Sequence, residues 1–219
     1  MTESKSTSNA RRPGKVGGKR DLNRKKRVAD LCDAALGLFL ARGIANVTID
    51  DIVKQAGVAK GSFYRYFDNK EALVASLLEP AQEAFRTTFR AAGASLTKTD
   101  DDGAVSEWLV VAANLATSVF QHPRLIRLYL QESRGPAVGA RRPIRELADE
   151  LLEGAVGLSK IARARGMTRD EDPRVSALAV IGASEQLLFA YLSGVDLGSP
   201  ADVPRKLIAI IMDGVRARD

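Results

Sequence analysis

Between Thr48 and Lys70 the chain gathers hydroxyls, amines and one bare backbone position: Thr48, Lys60, Gly61, Ser62, Tyr64, Arg65, Tyr66 and Lys70. Donors and positive charge at this density suit duplex DNA, where contacts to phosphate fix position and contacts to base edges read sequence. Gly61 removes a side chain where backbone could approach a duplex. Thr48 and Lys70 stand at expected helix starts, where hydroxyl, ammonium and backbone N–H groups favour phosphate. The materials for other chemistries are missing. His122 is the single histidine and Cys32 the single cysteine, so a histidine-based triad, a metal cluster or a disulfide lacks partners. No Walker or dinucleotide glycine motif occurs, and no serine lies in a nucleophile elbow. The expectation is a protein that is not an enzyme, with no catalytic residue, no metal and no cofactor.

Charge points the same way. Of 33 Lys/Arg in 219 residues, ten lie within residues 1–27 against only Glu3 and Asp21, a local net of +8. The other 192 residues are net −2, so all of the excess positive charge sits at one end. Such a patch attracts a polyanion: nucleic acid or an anionic membrane surface. Hydrophobic residues make up 45% and aromatics 5%, enough apolar material for a core, with an Ala- and Leu-rich lean towards helix. No wholly apolar run approaches the ~20 residues needed to cross a bilayer. The polar, basic N-terminus shows no signal-peptide core. A cytoplasmic protein without a membrane partner is expected.

The donors must be positioned by helices. Residues 1–21 have no apolar period and read as a disordered basic arm. From Arg24 the stripe Val28, Leu31, Cys32, Ala35, Leu36, Phe39 marks an amphipathic helix that Gly43 ends, with Cys32 as a small core residue. Thr48 and Asp51 form the short relative of a capping box and open a second helix with Ile49, Ile52, Val53 and Ala56 inside. Gly57 supplies a turn. A third helix is expected over 60–67, with Phe63 and Phe67 facing inward and the donors outward. Asp68 or Asn69 then caps a fourth helix through Leu73, Leu77 and Leu78. Two short helices joined by a tight glycine turn behind a longer one have the form of a helix-turn-helix unit, here residues 22–69.

The run GIANVTIDDIVKQAGVAKGSFYRYFDNKEAL, Gly43 to Leu73, resembles the DNA-binding domain of the TetR (tetracycline repressor-like) family of bacterial regulators. The resemblance rests on Thr48, Ile52–Val53, Ala56-Gly57-Val58, Lys60-Gly61-Ser62, Phe63-Tyr64-x-Tyr66-Phe67 and Asn69-Lys70-Glu71. It covers about residues 24–75. Ala59 departs from it, standing where the family more often has Ser or Thr, so a weaker cap on the third helix is expected. The resemblance implies an all-α homodimer that binds palindromic operator DNA and is released by a small ligand. It also implies that ligand shifts the fourth helix and so changes the separation of the two recognition helices.

Residues 70–219 read as the helical effector-binding and dimerisation domain. The fourth helix is expected to reach about Ala92 with a kink or break at Pro80. A loop over 93–103, with acidic Asp100 to Asp102, leads to a nearly all-apolar helix over 104–121. Further helices are expected over 124–133 and 143–165, and His122 reads as a helix end. The last two helices, about 173–193 and 201–217, are too apolar for the surface of a monomer. By the resemblance they pair with their copies in a four-helix bundle, with Leu188, Tyr191, Ile208 and Ile211 at the interface. Candidate effector-pocket walls are Phe85, Phe89, Trp108, Ala112, Leu115, Leu128, Tyr129, Leu151 and Phe189, each of which core packing also explains. Asn114 and Gln186 are the polar groups expected to look inward. The reading is a repressor released by a small hydrophobic or amphipathic molecule. Its rivals are an activator of the same fold and a DNA-coating or architectural protein using the basic arm.

Overall fold

The computed structural model describes residues 18–98, 121–168, 172–199 and 202–215, together with Ser106, Val110, Ala113, Asn114 and Thr117. The expected arm over 1–17, the acidic loop at Asp100 to Asp102, and Trp108, Ala112 and Leu115 lie outside the described residues, as does the side chain of Ile211. The elements are α1 Lys19–Arg42, α2 Ile49–Gln55, α3 Lys60–Tyr64, α4 Lys70–Leu96, α5 Pro123–Glu132, a 3-10 turn Gly139–Arg141, α6 Arg142–Ala164, α7 Pro173–Leu192 and α8 Asp202–Val215. Ser106, Val110, Ala113, Asn114 and Thr117 have helical backbone. The fold is all-α, with no strand among these elements.

Helix α1 starts at Lys19, ahead of the expected Arg24, so Arg24 to Arg27 sit on an ordered helix. Asp21 in its first turn favours this start by opposing the positive helix end and by pairing with Lys25 at 3.4 Å. Leu31, Ala35 and Phe39 are fully buried on its inner stripe. The chain leaves through Gly43 at φ +77°, whose N–H returns to the Phe39 carbonyl at 2.8 Å. Helix α2 is opened by a complete capping box: Asp51 N–H donates to Thr48 Oγ1 at 3.1 Å, and Thr48 N–H donates to Asp51 Oδ2 at 2.9 Å. A cap of this kind contributes about 1 kcal/mol. Gly57, at φ +63°, makes the turn that no side chain with a Cβ would favour.

Helix α3 is shorter than the expected 60–67. It ends at Tyr64, and Tyr66 and Phe67 both donate their N–H to the Phe63 carbonyl at 2.9 Å in a closing turn. Ala59 provides no side-chain cap, as its departure from the family pattern suggests. Helix α4 is unbroken at Pro80 and corrects one expectation: it runs past Ala92 to Leu96, where a loop was expected from Gly93. Gly93 lies within the helix and faces α6, where a Cβ would make ordinary contact with Ile161 at 3.6 Å, so it does not reverse the chain. At Gly154 the approach is tighter still, since a Cβ would fall 2.7 Å from the Phe89 ring.

One core runs from α1 to α6 without interruption and includes Leu31, Phe39, Ile52, Phe63, Leu73, Leu78, Phe85, Leu128, Ile144 and Leu147. A smaller cluster of Ala92, Leu96, Leu158, Ala162 and Met167 closes the far end of α4 and α6. The boundary expected at residue 70 therefore does not separate two cores. Helix α7 is different: only Ala177 on it is buried. Val175, Leu178 and Phe189 are exposed, as is Ile210 on α8. Leu188 and Leu192 instead lean on the chain's own core. By length and composition α7 could also cross a bilayer, the one described helix that could.

Candidate nucleic-acid interface

Helix α3 is held at its angle by apolar anchors and shows its donors outward. Phe63 is fully buried and Phe67 nearly so, their ring centroids 5.6 Å apart. The next residue along, Tyr64, has 51% of its surface exposed, with its ring edge-on to Phe63 at 5.5 Å. Lys60, Gly61 and Arg65 are exposed, whereas Ser62 and Tyr66 are half-buried. A Cβ on Gly61 would meet nothing within 4 Å and its φ is not positive, so nothing inside the protein requires glycine there. A bare backbone on an exposed surface suits close approach by an outside partner.

Three of the donors are engaged. Lys60 Nζ lies 2.7 Å from Asp50 Oδ1, and the hydrogen bond and charge of Asp50 push the Lys60 pKa up. Both partners are well exposed, so the pair is worth little and an incoming phosphate competes with it on even terms. Thr48 departs from the expected phosphate role: its one O–H donates to Asp51 Oδ2 at 2.8 Å. The same box holds the Asp51 carboxyl down at about 2, chiefly through the Thr48 backbone N–H and then its hydroxyl. Lys70 departs further. Its ammonium turns inward and donates to the Ile44 and Val47 carbonyls at 2.7 and 2.6 Å. Burial, then the nearby Arg141 charge, push its pKa below the ordinary lysine range. Lys70 thus fastens the α1–α2 loop. Lysine at a helix start gave no sequence signal to separate this role from a phosphate contact.

Arg24, Lys25, Lys26 and Arg27 line the exposed first half of α1. These four charges lie on a helix, as expected, and only Lys19 to Asp21 of the expected arm join it.

In the C-terminal half, Phe85, Leu128 and Tyr129 are buried and Phe89 and Leu151 half-buried, so these expected pocket walls face the interior. Phe189, Gln186 and Asn114 are exposed and do not. The correction on α7 is one residue in register. Glu185, not Gln186, reaches inward and accepts the Tyr129 O–H at 2.6 Å, while its second oxygen pairs with Arg134 at 3.2 Å. Burial, then this carboxylate, push the Tyr129 hydroxyl far above the ordinary tyrosine range. A cleft of about 530 Å³ opens among Lys160, Arg163, Ala164, Thr168 and Pro173, and none of the expected walls lines it.

Of the expected interface residues, Tyr191 and Ile208 are half-exposed, while Leu188 packs on the main core. His122 stands where helical backbone at Gln121 ends, as expected, and is also the N-cap residue of α5, where its side chain makes no cap. Among the described residues no group of His, Cys, Asp and Glu could hold a metal ion. Burial pushes the Cys32 thiol up to about 11, which keeps it an inert core side chain.

Residues 31–77 match the family model of bacterial regulatory proteins, tetR family. The HTH-type transcriptional regulator TtgR of Pseudomonas putida is 42% identical over 55 residues, 25% of this chain and 26% of that protein. The chain therefore matches only about a quarter of the length of this curated relative. Solved structures resemble the whole fold. NalD of Pseudomonas aeruginosa, the secondary repressor of the MexAB-OprM multidrug efflux pump, superposes with a TM-score of 0.68 at 20% identity, covering 90% of this chain and all of that one. The regulator FadR of Bacillus subtilis, in complex with stearoyl-CoA, gives 0.65 at 19% identity, covering 86% and 99%.

Proposed function

We propose that this chain, whose residues 31–77 match the tetR family model, is a sequence-specific DNA-binding repressor of that family. It acts as a homodimer in the cytoplasm and a small apolar or amphipathic effector releases it. The observation that carries this reading is the pairing on α3 of a fully buried Phe63 with exposed Lys60, Gly61, Tyr64 and Arg65. A helix so anchored presents its N-terminal donors to a major groove at a fixed angle. Ser62 and Tyr66 stand at the rim of this surface, and Arg24 to Arg27 add sequence-independent attraction to phosphate.

Dimerisation follows from α7 and α8, whose exposed Val175, Leu178, Phe189 and Ile210 need cover. Two copies of such a face, related by a two-fold axis, match a palindromic site. The effector reading draws on the apolar interior around Phe85, Leu128 and Tyr129 and on two similar proteins, one solved with stearoyl-CoA and one a repressor of a drug pump. The Tyr129–Glu185 pair supplies the polar groups that orient a ligand. Two-state logic requires the effector to prefer the spacing that does not bind DNA.

The basic start of α1 favours one second reading, a protein that coats DNA without regard to sequence. Footprinting on the DNA upstream of its own gene separates the two. A short palindromic protection supports the repressor, and uniform coating defeats it. Lys60→Ala, which removes a phosphate-type contact, should lower the salt slope of operator binding by about one unit with base preference unchanged.

A further inference from the structure

Glu132 ends α5 and is only 4% exposed, the most buried charged side chain among the described residues. A buried carboxylate is costly unless every oxygen is answered. Both are answered here, and from different parts of the chain. Oε1 accepts the Ile44 N–H, in the loop between α1 and α2, at 3.0 Å. Oε2 pairs with Arg141 Nε, in the turn before α6, at 2.5 Å. Gly43 makes room for this contact, because a Cβ there would lie 3.2 Å from Oε1. The loop that Glu132 grips is also the one whose carbonyls at Ile44 and Val47 hold Lys70, the first residue of α4. Neighbouring ties run in parallel: Gln131 Nε2 donates to the Phe39 carbonyl at 3.3 Å, and Arg124 pairs with Asp33 of α1 at 2.6 Å.

The same face of α5 reaches the other way. Leu128 lies one helical turn before Glu132, which places the two side chains on one face, and both are buried. Tyr129 is tied to Glu185 on α7. Helix α5 therefore meets the helix-turn-helix through Arg124, Gln131 and Glu132 and the C-terminal half through Tyr129, joining the two.

We propose that Glu132 is a positioning residue that fixes the orientation of the helix-turn-helix relative to the C-terminal half, and through it the distance between the two recognition helices of the dimer. The proposal rests on the reading of the chain as a dimeric operator-binding protein. A charged acceptor with two fixed partners allows one geometry. An amide in its place keeps the shape but cannot accept from both Ile44 and Arg141 on charged terms, so the loop gains freedom.

The test uses the full-length protein and two duplexes, the footprinted site and the same site with one base pair inserted at its centre. The insertion turns one half-site by roughly 34° and moves it by about 3.4 Å, so a rigidly spaced dimer should lose at least about tenfold in affinity. Glu132→Gln should cut that penalty to within about threefold and leave base preference within each half-site unchanged, because only the coupling between parts is lost. Arg134→Gln, which breaks the exposed pair with Glu185, should keep the wild-type penalty. A folded, dimeric Glu132→Gln protein with the full spacing penalty overturns the inference. Wild-type protein that protects no defined site overturns the functional reading instead, so the two failures are distinct. Should the variant fail to dimerise, native-state hydrogen exchange on the wild type decides. The Ile44 amide should open together with the amides of α5, and opening together with α2 would overturn the inference.

Discussion

Phe63 and Phe189 are the same side chain in opposite settings, one with no exposed surface under α3 and the other 52% exposed on α7. Around Phe63 every neighbouring apolar group is supplied by the chain itself: Leu31, Phe39, Ile52, Leu73 and Leu78 belong to one buried cluster. Around Phe189 the chain supplies little, and Val175, Leu178 and Ile210 share its exposure. The first region is a finished interior whose task is to hold a thin polar surface steady. The second is half of an interior, complete only when something lies on it. Hydrophobicity alone does not separate them; what differs is whether a single chain can close the packing.

The sharpest way to break this contrast is within α3. Phe63→Ala should destabilise the fold by about 3–5 kcal/mol, seen as a lower midpoint in denaturant, because it leaves a cavity under the helix. Its neighbour should behave in the opposite manner. Tyr64→Ala should change stability by less than about 1 kcal/mol while operator affinity falls by about 1–3 kcal/mol, measured by titration against the footprinted duplex. Equal stability losses in the two variants would erase the distinction between anchor and reader.

A second pair sharpens the comparison on α7. Leu188→Glu places a charge against the main core and should cost about 2–4 kcal/mol of stability. Phe189→Glu, one residue on, should leave a folded protein that sediments as a monomer, with dimer affinity reduced at least about 100-fold. A Phe189→Glu protein that remains a tight dimer would move the interface to another face. A smaller effect is expected at the α4–α6 contact. Gly154→Ala pushes on the Phe89 ring and should cost about 1–3 kcal/mol, detectable as a lowered thermal midpoint.

The smallest effect concerns the α2 cap. Asp51 titrates at about 2 in the folded protein, below its ordinary value of 3.8. A depressed carboxyl contributes stability that is complete above the ordinary value and is lost as pH falls through the folded one. Thermal midpoints should therefore drop between about pH 4 and pH 2, and Asp51→Asn should flatten part of that slope.

Much of the helix-turn-helix was legible because its signals are local. Thr48 with Asp51 three residues on, Gly57 at the turn, and Phe63 with Phe67 each specify their own backbone within one turn of chain. The departures come where the deciding partner is remote in sequence. Lys70 looked like a phosphate donor until carbonyls 26 and 23 residues earlier claimed its ammonium. Gly93 looked like a stop, but the helix carrying it packs along α6, far along the chain, and continues to Leu96. On α7 nearly every position is apolar, so no stripe marks which side faces inward, and the inward polar residue was placed at Gln186 instead of Glu185. Glu132 was invisible for the same reason: nothing near it in sequence announces a buried charge. Its only hint was an acidic residue within an otherwise apolar face.

The uninterrupted core from α1 to α6 bears on how such proteins can be recombined. A graft that joins this helix-turn-helix to a foreign sensor just before Lys70 would strip away Leu73, Leu78 and Leu128, which belong to the same buried core as Phe39 and Phe63. It would also leave the Ile44 amide without its acceptor. A workable chimera must instead carry α4, the end of α5 and Arg141 along with the reading head, or replace them with groups of equal shape and charge. The natural unit of exchange here is larger than the helix-turn-helix itself.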